Sequence, residues 1–290
     1  MTAVGCPATT TPQREHAART RAFVALLLVL AVVATACGMN VNAAGEFKAR
    51  RHDTLTVATG EIPLTGLWEG TAAHPTGGFE YELARALAKH FGLKRVDVVV
   101  VPFSRLVQGD LGGADLALSD MTATAARERF LDFTNPYLRA RPAVLVRNGR
   151  DVPDLHAAQG LSWAVGGAST LHDYLDDTIS PDGPVLLTSS LAQTVTAIDD
   201  GRVDAGLLDL PVAAAVARAS HGQLSVAGQF QKNDDVSAAL PNDSPNVDAV
   251  SSALRALIAD GTVSSLARRW LGLTVKGTSA VHVPLIRTES

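Results

Sequence analysis

From Leu55 onward the chain alternates two hydrophobic periodicities. LTVAT (55–59) and ADLALS (114–119) read as short strands, and VDVVVVP (96–102) as a buried strand that ends at Pro102. Between them Leu83, Leu87 and Phe91 recur at helical spacing. That helix opens at Gly78 with Glu80 and Glu82 in its first turn, where acids suit the positive end of the helix dipole, and Gly92 stops it. Late in the chain Val247, Val250, Leu254, Leu257 and Ile258 outline a further helix stopped by Gly261, and Val263, Leu266 and Trp270 line a second. Residues 275–290 show no pattern and are expected to form a tail. Strands alternating with helices imply parallel sheets with crossover helices, an α/β fold.

An internal echo sharpens this. GGADLALSD (112–120) and GRVDAGLLD (201–209) share a helix-stopping Gly, an Asp three residues on, an apolar strand, and a second Asp five after the first. Two similar lobes are expected, each supplying a strand that ends in an acid, with a ligand cleft between facing strand ends. ARPAVLVRNG (140–149) is placed to cross into the second lobe and VSAALPND (236–243) to cross back. The expected division is 54–143 plus 241–274 for lobe one and 144–240 for lobe two.

Composition adds compartment and excludes some partners. With 290 residues, 47% hydrophobic and 19% charged, the chain can bury a sizeable core. A net charge of -4 with no basic block argues against nucleic acid, which needs clustered Lys and Arg. Arg14, Arg19 and Arg21 precede an apolar run from Ala22 to Val33, then Ala34-Thr35-Ala36-Cys37-Gly38, the layout of a secretory signal peptide over 1–36. The run is shorter than the roughly 20 residues a bilayer span needs. Small residues before Cys37 resemble a bacterial lipobox, so Cys37 is the expected lipidation site, anchoring the exported chain to the outer face of the cytoplasmic membrane. Ala34-Thr35-Ala36 also fits an ordinary cleavage site. The other cysteine, Cys6, leaves with the leader, so no disulfide is expected, and residues 37–53 read as a tether. The eight His show no ligand spacing, so neither metal nor cofactor is expected.

Four segments, in order, resemble the extracellular solute-binding proteins of family 3: GGFEYELARALAKHFG (77–92), DLALSDMTATAARERFLDFTNPY (115–137), DDGRVDAGLLDLP (199–211) and IADGTVSSLARRWLG (258–272). The resemblance implies a two-lobed periplasmic-binding-protein-like fold of type II. Each lobe would be a mainly parallel sheet flanked by helices, with two crossing strands as hinge. It further implies a monomeric extracytoplasmic binding protein that closes on a polar amino acid and presents it to an ABC permease. A ligand sensor and a dehydratase-like enzyme stay open on the same scaffold, with Asp120, His172 and Asp173 as candidate acids or bases. The dehydratases that resemble this family carry a Glu soon after a Gly-Gly-Thr turn, where this chain has Leu171-His172-Asp173.

The candidate site follows from the ligand's chemistry. An amino acid presents a carboxylate and an ammonium, and an arginine fork grips a carboxylate with two parallel hydrogen bonds. Thr122-x-Thr124-x-x-Arg127 stands just past the 114–119 strand, and the resemblance puts Arg127 on the ligand carboxylate. Ser169 and Thr170 follow Gly166-Gly167 at the start of a helix, whose amides suit the same group, though a plain N-cap explains them too. Asp209 matches the family acid that takes the ammonium. Two departures bear on the ligand. Asp120 stands where family members have Gly or Ser, and Thr59 to Leu64 replaces an aromatic-rich segment, leaving Trp68 as either lid or core residue. With Asp120 and Glu61 facing the cleft beside Asp209, a cationic ligand such as arginine, lysine, ornithine or a polyamine-like amine is favoured. An outward-facing Asp120 removes that preference.

Overall fold

The computed structural model describes residues 1, 2, 5, 46–272 and 283–287. The chain divides into units at 1–43 and 44–290, and the fold is that of the second. In chain order it begins with β1 (Thr54–Thr59), a short ribbon of β2 (Glu69–Gly70) and β3 (Pro75–Gly77), and α1 (Phe79–His90). Then come β4 (Arg95–Val100), α2 (Phe103–Leu106), β5 (Leu116–Ala117) and β6 (Leu131–Phe133). The chain crosses through β7 (Leu138–Ala140) into β8 (Pro142–Arg147), followed by α3 (Leu155–Gln159), β9 (Trp163–Gly166) and α4 (Thr170–Tyr174). Next are β10 (Val185–Thr188), α5 (Leu191–Asp199), β11 (Ala205–Asp209), α6 (Leu210–Ala219) and β12 (Leu224–Gln229). It returns through β13 (Asp234–Val236) to β14 (Ala239–Pro241), α7 (Val247–Ala259) and α8 (Thr262–Leu266).

These elements make two five-stranded sheets of one layout, β4-β1-β5-β14-β6 in lobe one and β10-β9-β11-β8-β12 in lobe two. In each, the strand next to the centre has come over from the other lobe and runs antiparallel to its neighbours. The echo of 112–120 and 201–209 therefore has a physical meaning: β5 and β11 occupy the central place of their sheets, buried on both faces and ending toward the cleft. The crossing itself is the antiparallel pair β7 and β13, with Leu138 opposite Val236. It falls slightly earlier than the apolar runs at 140–149 and 236–243 indicate, because β8 is buried from Pro142 to Val146 and belongs to the lobe-two sheet.

Three expectations are corrected. β4 is an edge strand, half-buried along its middle with Val100 43% exposed; a Val-rich run does not distinguish an edge from a centre. Part of the expected tether is docked on lobe one. Phe47 stacks on Phe91 with ring centroids 4.2 Å apart, and the Lys48 amide donates to Asn246 Oδ1 at 2.8 Å while Asn246 Nδ2 donates to Lys48 O at 3.0 Å. Part of the expected tail is docked on lobe two. Ile286, 3% exposed, joins the core around Val144 and Phe230, and its amide donates to Gln229 O at 2.9 Å. The leader apart from residues 1, 2 and 5, Cys37 with residues 38–45, and the rest of the tail lie outside the described residues. Among the described residues no helix is long and apolar enough to cross a membrane.

Candidate functional site

A cavity of about 440 Å³ opens between the lobes, within the size range of small-ligand sites. Lobe one lines it with Glu61, Leu64, Phe103 and Asp120, and lobe two with Ser169, Leu171, Leu191 and Asp209. Among the described lining residues the charged ones are Glu61, Asp120 and Asp209, and none is Lys, Arg or His. Most of the remaining wall is apolar, so each carboxylate acts through little screening.

Asp120 and Asp209 approach from the two central strands. Asp120 ends the β5 segment at φ 46, a left-handed conformation that Asp tolerates better than most residues, and its amide donates to Glu80 Oε1 at 2.8 Å. Asp209 sits at the N-cap of α6, yet its side chain makes no capping bond. Pro211 in the first turn offers no N–H to cap, and the carboxyl lies on the cavity instead. Both carboxyl groups line the one cavity, and Oδ1 of each is buried with no hydrogen-bond partner among the described residues. Burial, then the charges of Asp209, Glu80 and Asp234, hold Asp120 well above the usual carboxylate range. Burial and Asp234 push Asp209 up to about 7, against the pull of Lys232 and Arg127. With both carboxyls raised by burial and by neighbouring acids, the pair favours holding a proton over carrying two negative charges.

Arg127 opens a short 3-10 turn, Arg127–Arg129, and is 8% exposed. Its Nη1 donates to Thr122 O at 2.7 Å in lobe one and its Nη2 to Ala168 O at 3.0 Å in lobe two, so the guanidinium links the lobes. It lies 5.5 Å from the ring centroid of Phe103, which lines the cavity. Burial lowers its pKa, opposed first by Asp209. Thr124 Oγ1 accepts from the Arg127 amide at 3.3 Å. Thr122, Thr124 and Thr170 line a separate groove with Lys232 and Asp234, so among the Thr and Ser candidates it is Ser169 that reaches the cavity. Ser169 also caps α4, its Oγ accepting from the Leu171 amide at 3.2 Å.

Glu61 makes another bridge between lobes. Its Oε1 accepts from the Leu191 amide at 2.7 Å, placing a carboxylate on the N-terminus of α5, where the helix dipole favours it. Burial raises its pKa, and the Leu191 amide pulls it back.

Trp68 is corrected from lid to core residue. It is fully buried, with Nε1 donating to Glu80 Oε2 at 2.7 Å and facing Leu118 O at 3.2 Å. Glu80, itself fully buried, also accepts from the Tyr137 hydroxyl. Its apparent role as a first-turn helix acid hides this second one, holding the Asp120 backbone from below. Phe103 supplies the aromatic wall instead. It directly follows the β4 strand end and Pro102, so the rule that ligands sit at strand ends points to it, although no periodicity does. Of the other acid or base candidates, His172 pairs with Asp176 at 3.3 Å and Asp173 is exposed; neither lines the cavity.

Comparison with known proteins agrees with this architecture. The chain is 26% identical over 261 residues to the L-cystine-binding protein TcyJ of Escherichia coli (strain K12), covering 87% of this chain and 96% of that one. It is 25% identical over 211 residues to the arginine-binding extracellular protein ArtP of Bacillus subtilis (strain 168), covering 67% and 77%. Among solved structures, an ancestral arginine-binding protein bound to glutamine superposes with a TM-score of 0.67 at 24% identity, covering 77% of this chain and 100% of that one, a likeness of fold. The model of the bacterial extracellular solute-binding proteins, family 3, matches residues 68–273, and the chain belongs to that family.

Proposed function

We propose that this chain is the binding protein of an ABC importer for a cationic amino acid, anchored outside the cytoplasmic membrane through Cys37 and acting as a monomeric carrier without catalysis. The observation that carries the reading is the charge of the cavity wall: Glu61, Asp120 and Asp209, with no basic residue among the described lining. A buried cavity with that wall attracts a cation and repels an acidic side chain. The ligand's α-ammonium lies at Asp120 and Asp209, and its side-chain cation extends along the apolar wall toward Glu61. Its carboxylate meets Ser169 on lobe two, while Arg127, which does not line the cavity, bridges the lobes beside Phe103. Arg127 and Glu61 already bridge the lobes, so the closed state that a ligand stabilises is prepared in the protein itself.

Thermal-shift measurements on the purified chain test this with L-arginine, L-lysine, L-glutamine, L-glutamate and L-cystine. Ligand at a hundredfold excess over Kd adds about 2.7 kcal/mol to the folded state. Arginine and lysine are expected to raise Tm in wild type and much less in Asp209→Asn. Stabilisation by glutamate in preference to both rejects the reading.

A further inference from the structure

We propose that the Asp120–Asp209 pair holds one proton between the lobes when the cleft is empty and releases it when a ligand ammonium takes its place, so that binding and deprotonation are a single event. The inference rests on the amino-acid-binding reading and adds a proton to it.

The argument is one of placement. The two carboxyls come from different lobes, line the same cavity, and each keeps a buried Oδ1 with no hydrogen-bond partner among the described residues. Two carboxylates in this position are opposed by every acid around them. Glu80 faces Asp120 from α1, and Asp234 faces both from β13. The cations at hand are already engaged. Arg127 donates to two main-chain carbonyls, and Lys232 lies 3.2 Å from Asp234 and 5.0 Å from the Tyr174 ring. The Tyr137 hydroxyl donates its hydrogen bond to Glu80, and the Asp173 charge acts on Arg127. The pair therefore requires one positive charge, which a proton supplies in the empty cleft.

The exchange balances. The carboxyl O–H of the pair loses its proton to a buffer base. The incoming ammonium keeps its own three protons and donates to both carboxylates. One unit of positive charge leaves and one arrives, so the pair keeps a single balancing cation.

Isothermal titration calorimetry of the full chain with L-arginine, L-lysine and L-glutamine, near neutral pH in phosphate and in Tris, reads the proton directly. The expected result is a binding enthalpy that differs between the buffers by close to one Tris protonation, and a Kd that weakens by up to about tenfold per unit as pH falls through the range in which the pair holds its proton. Asp120→Asn is expected to show enthalpies independent of buffer. Wild-type binding with equal enthalpies in both buffers overturns the inference and leaves the proposed function standing. Equal proton release in Asp120→Asn also overturns it, by assigning the proton elsewhere. Absence of binding by all three amino acids overturns both, and the wild-type titration decides even if the variant does not fold.

Discussion

Asp120 and Asp209 line one cleft from opposite lobes, Asp209 as the last residue of the central strand β11 and Asp120 just past the central strand β5, each with a buried Oδ1 that has no partner among the described residues. The cleft joins the two halves of the internal echo, GGADLALSD and GRVDAGLLD, at their last residues. Two buried carboxyl groups on one cavity hold the lobes together only while they share a cation. The state of the cleft and the state of the proton are therefore linked.

That link gives the ligand-free protein an unusual pH dependence. Both acids titrate higher in the folded chain than in an unfolded one, Asp209 at about 7, so the folded state binds more protons between the ordinary carboxylate range and neutrality. The stability they contribute is present in acid and falls as pH rises through about 7. Glu80 and Glu61, also raised by burial, act in the same direction. Differential scanning calorimetry from about pH 5 to about pH 8 is expected to show Tm falling in wild type, with a flatter profile in Asp209→Asn. A wild-type Tm that rises across that range contradicts the assignment.

Glu80→Ala is expected to be among the most destabilising single changes in lobe one. It leaves the Asp120 amide and the Tyr137 hydroxyl without their acceptor and removes the shorter of the two Trp68 Nε1 contacts. Each buried orphan costs about 1–3 kcal/mol, for a total of roughly 3 kcal/mol or more. Urea unfolding followed by tryptophan fluorescence measures the loss. A cost below about 1 kcal/mol means that the site's floor is held by something else.

Phe103→Leu separates the ring from the apolar wall it forms. The ring lies under the Arg127 guanidinium, a geometry worth about 0.5–2 kcal/mol when desolvated, and it also faces the ligand space. Affinity for a cationic amino acid is expected to fall several-fold by calorimetry, and Tm of the ligand-free chain to fall modestly as the Arg127 contact is lost. An unchanged Kd removes Phe103 from the site.

Ile286→Ala tests the docking of residues 283–287 on lobe two. Ile286 is buried against the Val144 and Phe230 cluster, and a Cβ at Gly228 would lie 2.6 Å from its Cγ1. Truncation is expected to cost about 2 kcal/mol or more, and to speed hydrogen exchange at the Gln229 amide, which donates to Pro284 O, while the β1 amides in lobe one keep their protection. Equal exchange at Gln229 in variant and wild type means that the segment adds nothing to the lobe.

How far the sequence led depended on whether a signal was local. Helix α1 and the strands β5 and β11 carry their own periodicity and their own Gly stops, so their places were legible. The acids at the strand ends were legible for the same reason, as candidates. That Asp120 shares a cavity with Asp209 was not, because the approach depends on two lobes folded about a hinge pair far along the chain. Trp68 stands alone in a turn-rich stretch with no period to say which way it points. The structure resolves it through a partner, Glu80, that sequence reading assigns to the helix dipole. Residues 283–287 are too short and too broken by Pro284 to register as a strand, although the edge of β12 receives them.

The most direct test of the account compares L-arginine with L-citrulline by calorimetry on the wild-type chain, since the two have side chains of nearly the same shape and differ in charge. A cavity walled by Glu61, Asp120 and Asp209 without a lining base predicts arginine binding tighter by about tenfold or more. Citrulline binding as tightly as arginine, or L-glutamate binding more tightly than either, contradicts the charge of the cleft as the basis of its selectivity.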